Sequence, residues 1–106
     1  MKAPIPTEDV VATRELSIVG SEDKVTVVLG RPRQVDEREA VCPYRITYLD
    51  HTIGRDAHGA DLFQALLLAL EAVTWELQHN GHLPSDKMYL YEPGDDMGFL
   101  EKIPLP

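Results

Sequence analysis

Apolar and polar residues alternate along the first half of this chain and then switch to a helical period. Residues 10–19 (VVATRELSIV) put Ala12, Leu16 and Ile18 on one side and Thr13, Glu15 and Ser17 on the other. That two-residue repeat predicts a half-buried strand, with Arg14 breaking the pattern on the apolar side. Residues 20–24 (GSEDK) predict a turn. Residues 25–29 (VTVVL) are dense in β-branched side chains and predict a second strand, ended by Gly30 and Pro32. Residues 31–40 are charged and poor in large apolar side chains, so they predict an exposed connection. Residues 41–49 (VCPYRITYL) predict a third strand, with Cys42, Tyr44, Ile46 and Tyr48 inward and Arg45 and Thr47 outward. Pro43 cannot donate to a ladder and is expected at a strand start or on an edge. Residues 50–59 (DHTIGRDAHG) predict a polar loop, and residues 87–91 (KMYLY) a short fourth strand.

Between them lies one long amphipathic helix. Asp61 followed by Gln64 predicts a capping box at its start, and Asn80-Gly81 predicts its end, with Gly81 free to turn left-handed. The helix is then about 18–20 residues long, nearly 30 Å at about 1.5 Å per residue. At 100° per residue, Leu62, Leu66, Ala69, Leu70, Val73 and Leu77 form a sheet-facing stripe with Phe63 at its edge. Gln64, Glu71 and Gln78 form a solvated stripe. Leu68, Ala72 and Trp75 fall together on the far side, with Ala65 nearby and Asp61, Glu71, Glu76 and His79 around them. Leaving Leu68 and Trp75 wet forfeits about 1.5–3 kcal/mol for each large side chain, so a cover is expected there. Three covers fit: the chain's own arm (residues 1–8) or tail (residues 99–106), a homodimer or partner interface, or a ligand in a groove.

The order strand, strand, strand, helix, strand predicts an α+β fold of two layers. An antiparallel sheet of three to four strands carries the long helix on one face. The 106 residues read as a single domain without repeats, with residues 1–8 an extended arm and residues 99–106 a proline-containing tail.

Charge narrows the partners. Eighteen acidic against ten basic residues give a net charge of −8. The Arg and Lys residues are dispersed, so no nucleic-acid or anionic membrane surface is expected as a partner. The chain start has no apolar stretch of the signal-peptide kind, and no apolar run approaches a membrane span. With a lone cysteine, Cys42, these features read as cytoplasmic.

Candidate chemistry is sparse. No phosphate loop, dinucleotide fingerprint, Cys pair or nucleophile elbow is present, so neither an enzyme nor a cofactor is expected. His51, Asp56 and His58 are weak candidates for a divalent cation, because their spacing follows no established ligand motif. Cys42 reads as a buried thiol, and His79 and His82 as cationic partners of the helix C-terminus.

The strand Cys42-Pro43-Tyr44-Arg45-Ile46, then Gly59 and Asp61, Gln64-Ala65-Leu66 and Leu68-Ala69-Leu70, resembles a family of small uncharacterised bacterial proteins. Members share a C-P-Y/F-x-I strand and a D-x-x-Q-A-L-x-L-A-L helix with a glycine upstream. The resemblance covers roughly residues 10–80 and implies no activity and no site residues. The second apolar stripe, on an acidic helix with no catalytic constellation, makes the expected function a non-enzymatic protein–protein interaction module, as a homodimer or as an immunity-type inhibitor of a basic protein. Leu68, Glu71, Ala72, Trp75 and His79 form its expected contact surface. The alternative is a small-molecule or metal site in the loop over residues 50–61.

Overall fold

The computed structural model describes residues 3–92 and 97–98. In chain order these form β1 (Val10–Ile18), β2 (Lys24–Gly30), β3 (Arg33–Asp36), β4 (Glu39–Thr47), β5 (Thr52–Gly59), α1 (Leu62–His79) and β6 (Met88–Tyr89). Two 3-10 turns, Thr7–Asp9 and Ser85–Lys87, precede β1 and β6.

Every pairing is antiparallel. β4 is the central strand. One of its edges carries β5 from Ala40↔Gly59 to Thr47↔Thr52. Its other edge carries β2 over Tyr44 to Thr47 and β3 over Glu39 to Val41. β1 lies beyond β2, and β6 pairs with Ser17 and Ile18 at the far side of β1. The expected α+β sheet with one helix is present, but it is an open sheet of six strands rather than three to four.

The two additional strands come from the segments expected to be a connection and a loop. β3 is exposed at all four positions, so it has no inward face to write an alternation into the sequence. It folds back onto β4 through a tight turn in which the Arg38 amide donates to Asp36 Oδ1 at 2.8 Å. β5 is an edge strand whose helix-side positions are Ile53, Arg55, Ala57 and Gly59, only one of them large and apolar.

Pro43 is not on an edge strand. It occupies β4 where pairing lapses between the end of β2 at Tyr44 and the start of β3 at Val41, so the missing N–H deprives no partner. Gly30 packs against it: a Cβ there would lie 2.6 Å from Pro43 Cγ.

The helix begins as expected. Asp61 Oδ1 accepts from the Gln64 amide at 2.8 Å, and Gln64 Oε1 accepts from the Ala60 amide at 2.6 Å. Its end differs. Gly81 does not adopt a positive φ. Asn80 ends the helix instead, its Nδ2 donating to Leu77 O and its Oδ1 accepting from the His82 and Leu83 amides. A side chain that meets the terminal carbonyl and the following amides makes a left-handed residue unnecessary.

α1 lies over β4 and β5. Its buried positions are Ala65, Ala69, Val73, Thr74 and Leu77, with Leu66, Leu70 and Ala72 half-buried. Leu62, expected to face the sheet, is exposed, while Ala65, expected near the far stripe, is fully buried. The cause is the closeness of the helix start to β5. A Cβ on Gly59 would lie 2.5 Å from Ala65 N and 2.8 Å from Gln64 C, so only a small residue fits at the helix start. The sheet-facing line therefore begins at Ala65 and runs through Ala69 to Val73 and Leu77.

One helix about 10 Å wide cannot cover a sheet this broad, whose strands are spaced about 4.8 Å apart. Leu83, Met88, Leu90 and Met97 join the same core as Leu16, Ile18 and Val25 on the inner face of β1 and β2. Arg14, the blemish in the alternation, is on this inner face and donates to Met97 O at 3.3 Å and Gly98 O at 2.7 Å. A charged residue thus fastens the chain's later segment to β1. Gly98 has φ +75°, and a Cβ there would meet Arg14 Nη1 and Leu90 Cδ2 at 2.7 Å. The fourth strand expected over residues 87–91 is only Met88–Tyr89. The tail over residues 99–106 lies outside the described residues.

Candidate functional site

The residues expected to form a contact surface do lie together. Leu68 is 37% exposed and Trp75 58% exposed, with Ala72 half-buried between them and Glu71 open to solvent. The Trp75 indole stacks on the His79 ring, with centroids 4.6 Å apart and planes 20° apart. His79 Nδ1 bonds Trp75 O at 3.0 Å, so the helix end holds the indole's neighbour in place.

The helix geometry fixes which way this surface looks. Glu76 reaches Arg55 of β5, with Nε to Oε1 at 3.1 Å. Leu70, Val73 and Thr74 look the other way and line a groove over β1 and β2. Leu68 and Ala72 therefore flank the β5 side of the helix, and Trp75 lies at its crest leaning toward them.

The arm does not cover this surface. Residues 3–6 cross the opposite face of the sheet, where Arg45 Nε donates to Ala3 O at 3.0 Å and Ile5 approaches Gly30. The described part of the arm is thus not a cover for this surface, and the tail, the other segment of this chain expected there, lies outside the described residues.

A second apolar flank was not anticipated. Phe63, 77% exposed, and Leu67, 56% exposed, fall on the helix side shared with Leu70 and Thr74. Beside them the groove encloses about 390 Å³ between Leu70, Val73 and Thr74 of α1 and Ala12, Val27 and Leu29 of the sheet. The sequence signal for it was the breadth of the apolar arc, in which Phe63 was placed only as an edge.

The cation candidates are not brought together. His51 is in the β4–β5 turn, its ring 4.4 Å from that of His82. Asp56 and His58 lie on the face of β5 away from the helix, and His58 Nδ1 bonds Glu39 Oε2 at 2.8 Å. Among the described residues no three His, Cys, Asp or Glu side chains form a metal-holding group. The segment expected to be their loop is strand β5 over residues 52–59.

On the sheet face away from the helix, a cleft of about 670 Å³ lies between the arm and Arg31, Arg33 and Arg45, with Asp9 and Asp56 in its walls. Arg31 is paired with Asp9 at 3.3 Å, and Arg45 donates to the Tyr44 and Arg55 carbonyls. The arginines in large part serve to hold the arm and the strand ends.

Burial raises three titratable groups of the core. Burial, and then the nearby Asp56 carboxylate, push the Cys42 thiol from 9.0 up to about 11, and its Sγ lies 3.4 Å from Gly30 O. Such a thiol stays protonated and unreactive at neutral pH. Burial, and then Glu76, push Tyr48 up to about 12, and its hydroxyl is buried without a partner among the described residues. Tyr44 is raised by burial and by Glu76, with Arg55 opposing.

A raised folded-state pKa contributes stability below the ordinary value that is lost as pH rises through the folded value. The urea midpoint should therefore hold steady to about pH 9 and fall from there to about pH 12. A midpoint unchanged across that alkaline range would show that these groups are not buried as described.

No helix among the described residues is long and apolar enough to cross a membrane. No curated protein and no solved structure matches the chain. The DUF6968 profile, a domain of unknown function, matches residues 12–100, from β1 through α1 to beyond β6. With that match spanning most of its length, the chain belongs to the DUF6968 family.

Proposed function

We propose that this chain is a non-enzymatic interaction module whose contact surface is the helix flank of Leu68, Ala72 and Trp75, rimmed by Glu71 and His79. The observation that carries the reading is the exposure of Trp75, the chain's only tryptophan, beside an exposed Leu68 on a helix whose inner face is already filled. Tryptophan buries up to about 250 Å² and dominates interface energetics when covered. Its stacking on His79 holds it in one orientation, which lowers the entropy lost when a partner covers it.

The partner is a basic protein. The surface that meets it belongs to a chain of net charge −8, and opposite charge speeds encounter and selects the partner. An immunity-type role, in which the acidic domain occupies a basic effector, is the specific form of this reading. We propose a cytoplasmic setting as well, supported by the lone cysteine, Cys42, which fits a reducing compartment.

The test compares two charge insertions. Trp75→Glu should leave stability within about 0.5 kcal/mol of wild type, as for other surface changes. It should weaken capture of the partner recovered with the wild-type chain by about 30-fold, a hot-spot loss of roughly 2 kcal/mol. Phe63→Glu, on the other flank, should retain the partner. Equal capture by wild type and Trp75→Glu would rule out this surface.

A further inference from the structure

The sheet edge beneath the proposed contact surface is built to receive a strand, an inference that rests on the interaction reading above. β5 pairs with β4 alone among the described strands. Its eight residues keep an unbroken register with β4, whereas the β1–β2 and β3–β4 pairings each carry an irregularity. It contains neither proline nor lysine, two of the residues with which natural edges repel a further strand, and its inward-pointing charge, Arg55, is met by Glu76. Two of its polar side chains are tied back to their own molecule, Arg55 to Glu76 at 3.1 Å and His58 to Glu39 at 2.8 Å.

The other end of the sheet is treated differently. β6 pairs with Ser17 and Ile18, the Val19 amide donates to Lys87 O, and Arg14 holds the Met97 and Gly98 carbonyls. The chain's own later segment attends that edge. The β5 edge instead lies on the side of the helix flank that carries Ala72 and Leu68, because Glu76 of that flank reaches Arg55 at 3.1 Å.

We infer that β5 takes an extended, cationic segment of the partner protein as an added strand. Backbone pairing along β5 supplies affinity, and alternate side chains of the segment pack under Leu68, Ala72 and Trp75 to supply selectivity. The charge follows from the surroundings: Asp50, Asp61 and Glu71 are exposed around the edge and flank, in a chain of net charge −8. A second copy would bring another −8 to the same edge, which disfavours self-pairing.

The probe is a synthetic peptide of alternating lysine and valine added to the full chain. Its binding is read by amide hydrogen exchange of β5 and by emission from Trp75. Binding should slow exchange of β5 amides and shift Trp75 emission to the blue. The same peptide N-methylated at alternate residues, which cannot pair along its backbone, should bind at least about tenfold more weakly, a loss of roughly 1.4 kcal/mol.

Equal binding of the parent and N-methylated peptides, both lost in Trp75→Glu, would overturn strand addition and leave the flank reading intact. Slowed β5 exchange that persists undiminished in Trp75→Glu would instead remove the flank from the site. Equal binding of a glutamate–valine peptide would overturn the cationic assignment. A peptide that fails to bind, or light scattering that shows a dimer with β5 amides already protected, would overturn the proposal as a whole.

Discussion

Gly59→Ala should cost at least about 3 kcal/mol, the upper end of what overpacking usually costs. The added methyl would lie 2.5 Å from Ala65 N, 2.8 Å from Gln64 C and 3.0 Å from Ala65 Cα. These are backbone atoms in the first turns of a capped helix, so no side chain can rotate away. The helix must lift from β5, which also disturbs the Asp61 and Gln64 hydrogen bonds. Against a typical total stability of about 5–15 kcal/mol, the loss is a large share. Urea unfolding of Gly59→Ala beside Gly81→Ala measures it, because Gly81 has open space around it and no positive φ. A Gly59→Ala midpoint matching that of Gly81→Ala would mean the helix start does not sit on β5.

Leu77→Ala is the second large effect. Leu77 is fully buried near the end of α1, in the same core as Ile46, Val73 and Met88. Truncating it should cost about 2–5 kcal/mol through lost burial and the cavity left behind. Leu68→Ala, the same change on the exposed flank, should cost well under half of that in the isolated chain. Thermal unfolding of the two variants side by side checks the assignment of helix faces. Equal losses would mean that Leu68 is covered within the isolated chain.

Much of this arrangement was legible in the residues, and the exceptions have physical causes. The strand around Cys42, Tyr44, Ile46 and Tyr48 was readable because β4 is central and its helix-side positions are all buried. The start of α1 was readable because Asp61 and Gln64 form a local motif that tertiary contacts do not override. β3 and β5 were not readable as strands. Each earns its place through backbone pairing with β4, which leaves little trace in hydropathy.

The helix faces were only partly legible for a related reason. A wheel ranks residues by size and polarity, whereas the closeness of Gly59 selects Ala65 for the start of the line nearest the sheet. Leu62 is displaced outward as a result, and Phe63 and Leu67 are left exposed on the flank toward the groove. Leu68, Ala72 and Trp75 stayed where the wheel placed them, because they lie far from that line. The cation candidates could not be separated by sequence alone. Their distribution between the β4–β5 turn and the far face of β5 depends on a hairpin register that spacing does not encode.

The central claim is that the flank around Trp75 is open in the isolated chain and covered by a partner. Hydroxyl-radical footprinting of Trp75, the only tryptophan, in the purified protein and in the cells that produce it naturally tests this most directly. The account predicts heavy modification of Trp75 in the purified chain, as its 58% exposure requires, and protection in the cell. Equal modification in both settings would contradict it.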